Sequence, residues 1–194
     1  EILTKGINES SPLLFLLTNT RSLSPEIAEQ RLRQICRTLK EVIQEHELGL
    51  DKFFYISRGD STLRGHSLLE PKVINEELGP FDATFHVPAF FEGGRTTVNG
   101  VHLVNGTPVH KTIFAKDQIF GFSTSHLPSW IEEKSNYKIK SEDVSLINID
   151  QLREASIDES GMQTLINFLL KLSSNQPVVV DAESSKDLNT FIAS

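Results

Sequence analysis

Cysteine is almost absent from this chain: Cys36 stands alone among 194 residues. No intrachain disulfide can form, which excludes the disulfide-stapled secreted scaffolds and points to a reducing compartment, the cytoplasm. Long apolar runs are missing too, and none approaches the roughly 18 residues that a membrane span requires. The opening Glu-Ile-Leu-Thr-Lys-Gly lacks the pattern of a secretory signal. It also lacks an initiator methionine, so the chain is expected to begin inside a larger protein. Positive charge is scarce, with 19 lysines and arginines against 26 acidic residues and a net charge of -7. That balance argues against a nucleic-acid or anionic-membrane binder. Neither Gly-x-Gly-x-x-Gly nor a P-loop occurs, so an activity that used ATP would take it from another fold or segment. There is no Gly-x-Ser-x-Gly elbow, no His-Glu-x-x-His and no paired-cysteine motif, and the six histidines show no metal-ligand spacing.

Arginine is sparse but placed with a pattern. Of the eight present, Arg21, Arg58, Arg64 and Arg95 sit after apolar, strand-like runs. The densest segment is Ser57-Arg-Gly-Asp-Ser-Thr-Leu-Arg-Gly-His66, which packs two guanidiniums, a carboxylate, three hydroxyls, an imidazole and two glycines into ten residues. A packed core has no use for that mixture, because unpaired buried charges are expensive. A loop that grips a small, oxygen-rich anion does use it.

Periodicity supplies the frame. The continuous apolar runs 13–17 and 53–56 read as buried strands of a parallel sheet. Between them Ser24 reads as an N-cap, Pro25 as the first helical residue, and Ala28, Leu32, Ile35, Cys36, Leu39 and Ile43 as one apolar stripe. Cys36 is thereby an inert core thiol. Further helices are expected over 68–78, near Trp130 and over 162–172, with strands over 83–87, 144–149 and 178–180. Val101–Val104, Asn105-Gly106 and Thr107-Pro108 spell a hairpin, since Asn-Gly supplies the positive φ angles of a type I′ turn. The sum is an α/β fold, a mostly parallel sheet flanked by helices in a Rossmann-like three-layer arrangement, with a small antiparallel hairpin. Ligands of open parallel sheets bind outside the carboxyl ends of strands. Five expected strands end in polar segments, at 18–21, 57–60, 88–95, 148–150 and 181–184, and that shared edge is the expected site.

Within it, Asp60 or Ser61 is read as the cap of the following helix, leaving backbone N–H groups directed at an anion. Arg64 is read as a solvent-facing loop residue able to grip a carboxylate bidentately. Gly93-Gly94-Arg95-Thr96-Thr97 is read as a second ligand-contacting loop whose glycines admit close backbone approach. His46, His86, His102 and His110 read as structural or surface residues, and His66 and His126 as further site candidates. Glu132-Glu133 reads as a solvated helix face.

Several of these stretches, taken together and in order, resemble a known family. Asp60-Ser-Thr-Leu-Arg-Gly65, Pro88-Ala-Phe-Phe-Glu-Gly-Gly-Arg-Thr-Thr97, Asn99-Gly-Val-His-Leu-Val-Asn-Gly-Thr-Pro-Val109, Phe114-Ala-Lys-Asp117, Thr124-Ser-His-Leu-Pro128 and Val178-Val-Val-Asp181 are similar to the N-terminal domain of the four-carbon acid sugar kinases. The resemblance implies a two-domain, ATP-dependent enzyme that phosphorylates threonate, erythronate or 3-oxo-tetronate. Residues 1–194 would be its single substrate-binding domain. The family's opening strand with its Asp-Asp-x-Thr-Gly-type motif would precede the chain. A C-terminal domain holding ATP and Mg2+ would follow, leaving no cofactor or metal site in these residues, and the fragment alone would be inactive. The residues that match the family's substrate motifs are Arg58, Asp60, Ser61, Arg64, Gly94, Arg95 and Thr96, with Arg21, His66 and His126 as additional candidates. Arg64 and Arg95 are assigned to the carboxylate, Asp60 and Ser61 to the sugar hydroxyls, and no residue to the catalytic base. Arg58 stands where the family often has lysine, and His66 where asparagine is common.

The expected partners are a small sugar acid, the C-terminal domain and a second copy of the chain, with no nucleic acid and no membrane. Two other classes stay open at this point: a non-catalytic module that binds or senses a sugar acid or phosphate ester, and a hydrolase using Asp60 and His66 as an acid–base pair.

Overall fold

The computed structural model describes residues 2–9 and 11–194. The chain divides into two compact units, Glu1–Arg58 with His66–Pro80, and Gly59–Gly65 with Phe81–Ser194. Among the described residues, no helix is long and apolar enough to cross a membrane.

The first unit holds helices α1 (Ile2–Asn8), α2 (Pro25–Glu45) and α3 (Leu69–Leu78). Helix α2 starts where its sequence dictates: Ser24 is extended, its hydroxyl accepts from the Ile27 N–H at 3.4 Å, and Pro25 takes the first turn. Ala28, Leu32, Cys36 and Ile43 are buried along one stripe. Burial pushes the Cys36 thiol above its ordinary value, in keeping with an inert core thiol. Arg37 and Arg33 both reach across to Glu77 of α3 at 2.9 Å, and together they hold its carboxyl down at about 2.

Two expectations fail in this unit. Residues 13–17 and 53–56 join no strand ladder, and Leu13, Phe15, Leu17, Phe54 and Ile56 are exposed, Phe54 almost completely. An apolar run records what a segment can bury, whereas a strand exists only when a neighbour completes its backbone hydrogen bonds. No described residue supplies that neighbour here. The cap expected at Asp60 or Ser61 is also absent: α3 is preceded by Leu68 in helical conformation, with no side-chain cap.

The second unit contributes, in chain order, β1 (Ala83–His86), β2 (Arg95–Val98), β3 (Val101–Val104), β4 (Thr107–Pro108), α4 (Leu127–Lys134), β5 (Ser145–Ile147), α5 (Ile149–Ala155), α6 (Glu159–Leu169), β6 (Gln176–Val180) and α7 (Ser185–Ala193). A parallel sheet of order β1-β6-β5 and an antiparallel sheet of order β2-β3-β4 give the α/β architecture that the periodicity predicts. Val178, Val179 and Val180 are fully buried, as a central parallel strand covered on both faces must be. Ile147, Leu152, Leu165 and Leu172 pack with Val178 and Val180 in one core cluster. Each such side chain contributes roughly 1.5–3 kcal/mol by leaving water.

The hairpin is larger than expected. Arg95, Thr96 and Thr97, read as part of the 93–97 loop, belong to β2, which pairs along its whole length with β3. The Asn99-Gly100 turn joins them at φ +49° and +71°, the same turn chemistry as Asn105-Gly106. Helix α6 begins three residues before the expected Met162, because the Asp158 carboxylate accepts from the Gly161 N–H at 2.8 Å. The Glu132 and Glu133 side chains are not merely solvated. Glu132 accepts from the Ser141 N–H, and Glu133 from the Ser123 N–H and hydroxyl.

Candidate functional site

The ends of β1, β5 and β6 do share one edge, but much of their polar chemistry is spent on the backbone. Asn148 after β5 caps α5, exchanging bonds with Gln151 at 2.9 Å in both directions. Asp181 after β6 is fully buried and accepts from the N–H groups of Asn99 (2.6 Å), Gly100 (2.9 Å) and Ile149 (3.1 Å). Burial raises its pKa, opposed by those three donors. Thr97 and Ala182 exchange both backbone hydrogen bonds, at 2.9 and 3.0 Å. The parallel sheet therefore holds the β2–β3 hairpin by its turn and by one strand.

That hairpin presents Arg95. Its guanidinium carbon lies 5.8 Å from the ring centres of both Phe90 and Phe114. One Nη donates to the Gly93 carbonyl, while Nε is buried with no hydrogen-bond partner among the described residues. No carboxylate among them is paired with it. The preceding Gly94 takes φ +70°, where a Cβ would be strained and would displace the Asn105 side chain. Thr96 follows within β2, paired with Leu103.

Arg64 meets the same aromatic ring, its guanidinium carbon 5.0 Å from the Phe114 centre. Its surroundings differ sharply from those of Arg95. Nη2 and Nε lie 2.8 and 3.0 Å from Asp60 Oδ2, Nε also reaches the Thr62 hydroxyl, and Nη1 is 3.9 Å from Asp117. The Arg64 side chain is 24% exposed, so it is a half-buried member of a bonded loop, not the solvent-facing residue the sequence suggests. Asp60 serves the loop as well: its Oδ1 accepts from the Thr62 N–H at 2.9 Å and the Thr62 hydroxyl at 2.7 Å, an Asx turn. Leu63 and Gly65 follow at φ +65° and +108°. The Ser61 carbonyl accepts from His102 Nε2 at 2.7 Å.

Asp60, Ser61, Arg64, Gly94, Arg95 and Thr96 thus fall in one unit, in which Arg64 and Arg95 both meet Phe114. Arg21, Arg58 and His66 belong to the other. Arg21 and Arg58 are exposed there, and His66 is buried with Nε2 at 3.1 Å from the Leu23 carbonyl. His126 precedes α4 and bonds the Ser129 hydroxyl through Nδ1 at 2.9 Å. Residue-type reasoning missed Phe90, Phe114, Asp117 and His102 as parts of the site. The signal for the first three was there in Phe-rich stretches flanking the arginine loops. Stacked cations over an aromatic face gain about 0.5–2 kcal/mol each and keep their N–H edges available. Chemically, a paired guanidinium, a second one with unused donors and a turn closed by its own hydrogen bonds are groups able to hold a small anion.

The chain matches the model of the family described as "Sugar-binding N-terminal domain" over residues 2–194. It is 28% identical over 179 residues to a D-erythronate kinase of Heliobacterium modesticaldum, covering 92% of this chain and 37% of that protein. It therefore spans a little over a third of that curated relative. Among solved structures, it resembles a Bordetella bronchiseptica protein of a family of unknown function, determined as a domain-swapped dimer with bound citrate. That match has TM-score 0.67 and 22% identity, over 97% of this chain and 40% of that one. A Haemophilus influenzae protein of the same family matches with TM-score 0.66 and 18% identity, over 90% and 39%. These likenesses support the fold, and the family match covers essentially the whole chain. The chain belongs to the sugar-binding N-terminal domain family, which includes the N-terminal part of D-erythronate kinase.

Proposed function

We propose that this chain is the acceptor-binding domain of an ATP-dependent kinase for four-carbon sugar acids of the erythronate, threonate or 3-oxo-tetronate type. The observation that carries this reading is Arg95, whose buried Nε lacks a partner among the described residues while its guanidinium carbon lies 5.8 Å from the ring centres of both Phe90 and Phe114. A carboxylate is the ligand that such a fork accepts best. In this reading Arg95 takes the substrate carboxylate, and Ser61 and Thr96 lie within the set that meets the hydroxyls. Arg64, already paired with Asp60, shapes the wall of the receptor. Kinship with D-erythronate kinase supports the four-carbon length.

The domain's part in phosphoryl transfer is positioning: it holds the terminal hydroxyl of the acid for in-line attack, which is the larger share of catalysis in this reaction class. In this proposal magnesium and ATP fall to a further domain, as the family resemblance implies. In this reading a second copy of the chain is a further partner, which the domain-swapped dimer of the Bordetella bronchiseptica protein supports.

The test is calorimetric titration of the protein with D-erythronate, L-threonate and 3-oxo-tetronate, with and without a non-hydrolysable ATP analogue, beside Arg95→Ala. Saturable binding by the wild type, weakened at least about 30-fold by the substitution, is expected for loss of a charge-assisted fork. Binding of none of the acids, or full affinity in Arg95→Ala, overturns the proposal. Binding without any ATP consumption by the full-length protein would favour the non-catalytic module instead.

A further inference from the structure

His102 is fully buried in β3, and the sequence gives it no role beyond structure. Its surroundings define its chemistry. The Ser61 carbonyl, 2.7 Å from Nε2, can only accept, so Nε2 carries the proton. Nδ1 is then an acceptor, and the Thr97 hydroxyl donates to it at 2.9 Å. Thr97 is itself fully buried and tied by both backbone bonds to Ala182. Burial holds the imidazole below its ordinary pKa, opposed by hydrogen bonding to the Ser61 and Thr96 backbone, with the positive charge of nearby Arg95 a lesser contribution in the same direction as burial.

The bond from His102 leaves the Asp60–Gly65 loop, as do the contacts of Arg64 with Asp117 and Phe114, and so differs in kind from three others. Those of Asp60 with Thr62, of Asp60 with Arg64 and of Leu63 N–H with the Asp60 carbonyl close the loop on itself. His102 instead ties the loop to the strand beside Arg95. The tie matters because Leu63, a branched residue, sits at φ +65°, a conformation that persists only where surrounding structure fixes it. A continuous path results: Ala182 to Thr97, Thr97 to His102, His102 to Ser61.

We propose that His102 is a positioning residue, whose Nε2–H holds the Asp60–Gly65 loop in register with β2 so that Arg64, Ser61 and Arg95 form one preorganised receptor. Its ligand is taken from the sugar-acid reading above, but the positioning role does not depend on that ligand.

The test uses the full chain. Nitrogen-15 NMR of the wild type is expected to show a neutral, Nε2-protonated His102 at pH 7. Two substitutions separate the ring's functions: His102→Gln can place an N–H where Nε2 was, and His102→Asn cannot. In His102→Asn the Thr62 and Leu63 amides are expected to exchange about tenfold faster or more, with the β6 amides unchanged, and D-erythronate affinity to fall about tenfold. His102→Gln is expected to restore both to within about threefold of wild type. An Nδ1-protonated ring, or wild-type exchange at Thr62 and Leu63 in His102→Asn, overturns the proposal. If His102→Asn does not fold, the wild-type tautomer and Thr97→Val decide: removing the Nδ1 donor at nearly constant volume must also speed exchange at Thr62 and Leu63, and its failure to do so overturns the proposal. A wild type that binds no D-erythronate would sink the sugar-acid reading, while tautomer and exchange would still decide the role of His102.

Discussion

Replacing Asp181 by alanine removes in one step the acceptor of three backbone donors. Its carboxylate takes the Asn99 and Ile149 N–H groups on Oδ2, at 2.6 and 3.1 Å, and the Gly100 N–H on Oδ1 at 2.9 Å. The side chain is fully buried, and water cannot replace it without reopening the core. A hydrogen bond to a charged acceptor contributes about 1.5–3 kcal/mol, and a buried donor left unsatisfied costs about 1–3 kcal/mol. Against this, alanine relieves the desolvation that raises the Asp181 pKa, so the three losses do not simply add. A net destabilisation of about 3–5 kcal/mol is expected, lowering Tm by about 10 °C for a chain of this size. Asp181→Asn is the informative companion. Its single carbonyl oxygen can keep the two bonds made by Oδ2, but its amide must then face the Gly100 N–H, donor against donor, at a cost of about 2 kcal/mol. Urea denaturation followed by tryptophan fluorescence reads both, as a fall in midpoint at constant slope. A loss below about 1 kcal/mol in Asp181→Ala would refute the view that this carboxylate pins the hairpin to the parallel sheet.

Two further outcomes follow from the geometry. Arg64→Ala, which strips the Asp60 carboxylate of its fork and Phe114 of one stacked cation, is expected to lose about 1–2 kcal/mol in urea denaturation; Arg64→Lys should recover less than half, and a neutral Arg64→Ala would show the pair to be idle. Burial holds the His86 imidazole down at about 4, so between pH 6.5 and 4 the unfolded chain binds a proton there that the folded chain refuses; stability is full above pH 6.5 and falls by at most about 3 kcal/mol as pH drops to 4, and His86→Phe should flatten that limb of the pH–stability curve.

The legible parts of the fold are those in which local chemistry and long-range pairing demand the same thing. Ser24-Pro25 starts α2 because cap, φ angle and apolar stripe agree. Val178–Val180 is central because three consecutive buried valines suit only a strand covered on both faces. Where the two levels part, the sequence misleads. Residues 13–17 and 53–56 carry as strong an apolar signal as β6, yet no described residue completes a ladder with them. Arg95–Val98 carries little such signal, yet it is a strand, since Asn99-Gly100 folds it onto β3 and Asp181 fixes that turn from a distant part of the chain.

The same separation governs the site. The sequence marks Arg64 and Arg95 as equals, both beside glycines in polar stretches. Ligand capacity, however, depends on how much of a cation's charge and how many of its donors the fold has already used. Arg64 is consumed by Asp60, four residues away, and faces Asp117 in another loop altogether. Arg95 keeps a buried nitrogen with no partner among the described residues. Asp60 reverses its assigned role for the same reason: a carboxylate expected to meet a ligand spends its oxygens on Thr62 and Arg64, and so builds the loop. His102, indistinguishable by sequence from any strand histidine, earns its place through a bond to Ser61 that only the folded hairpin can make. Residue types thus single out a few loops, while the part each residue plays within them is decided by which partners the fold supplies to each charge.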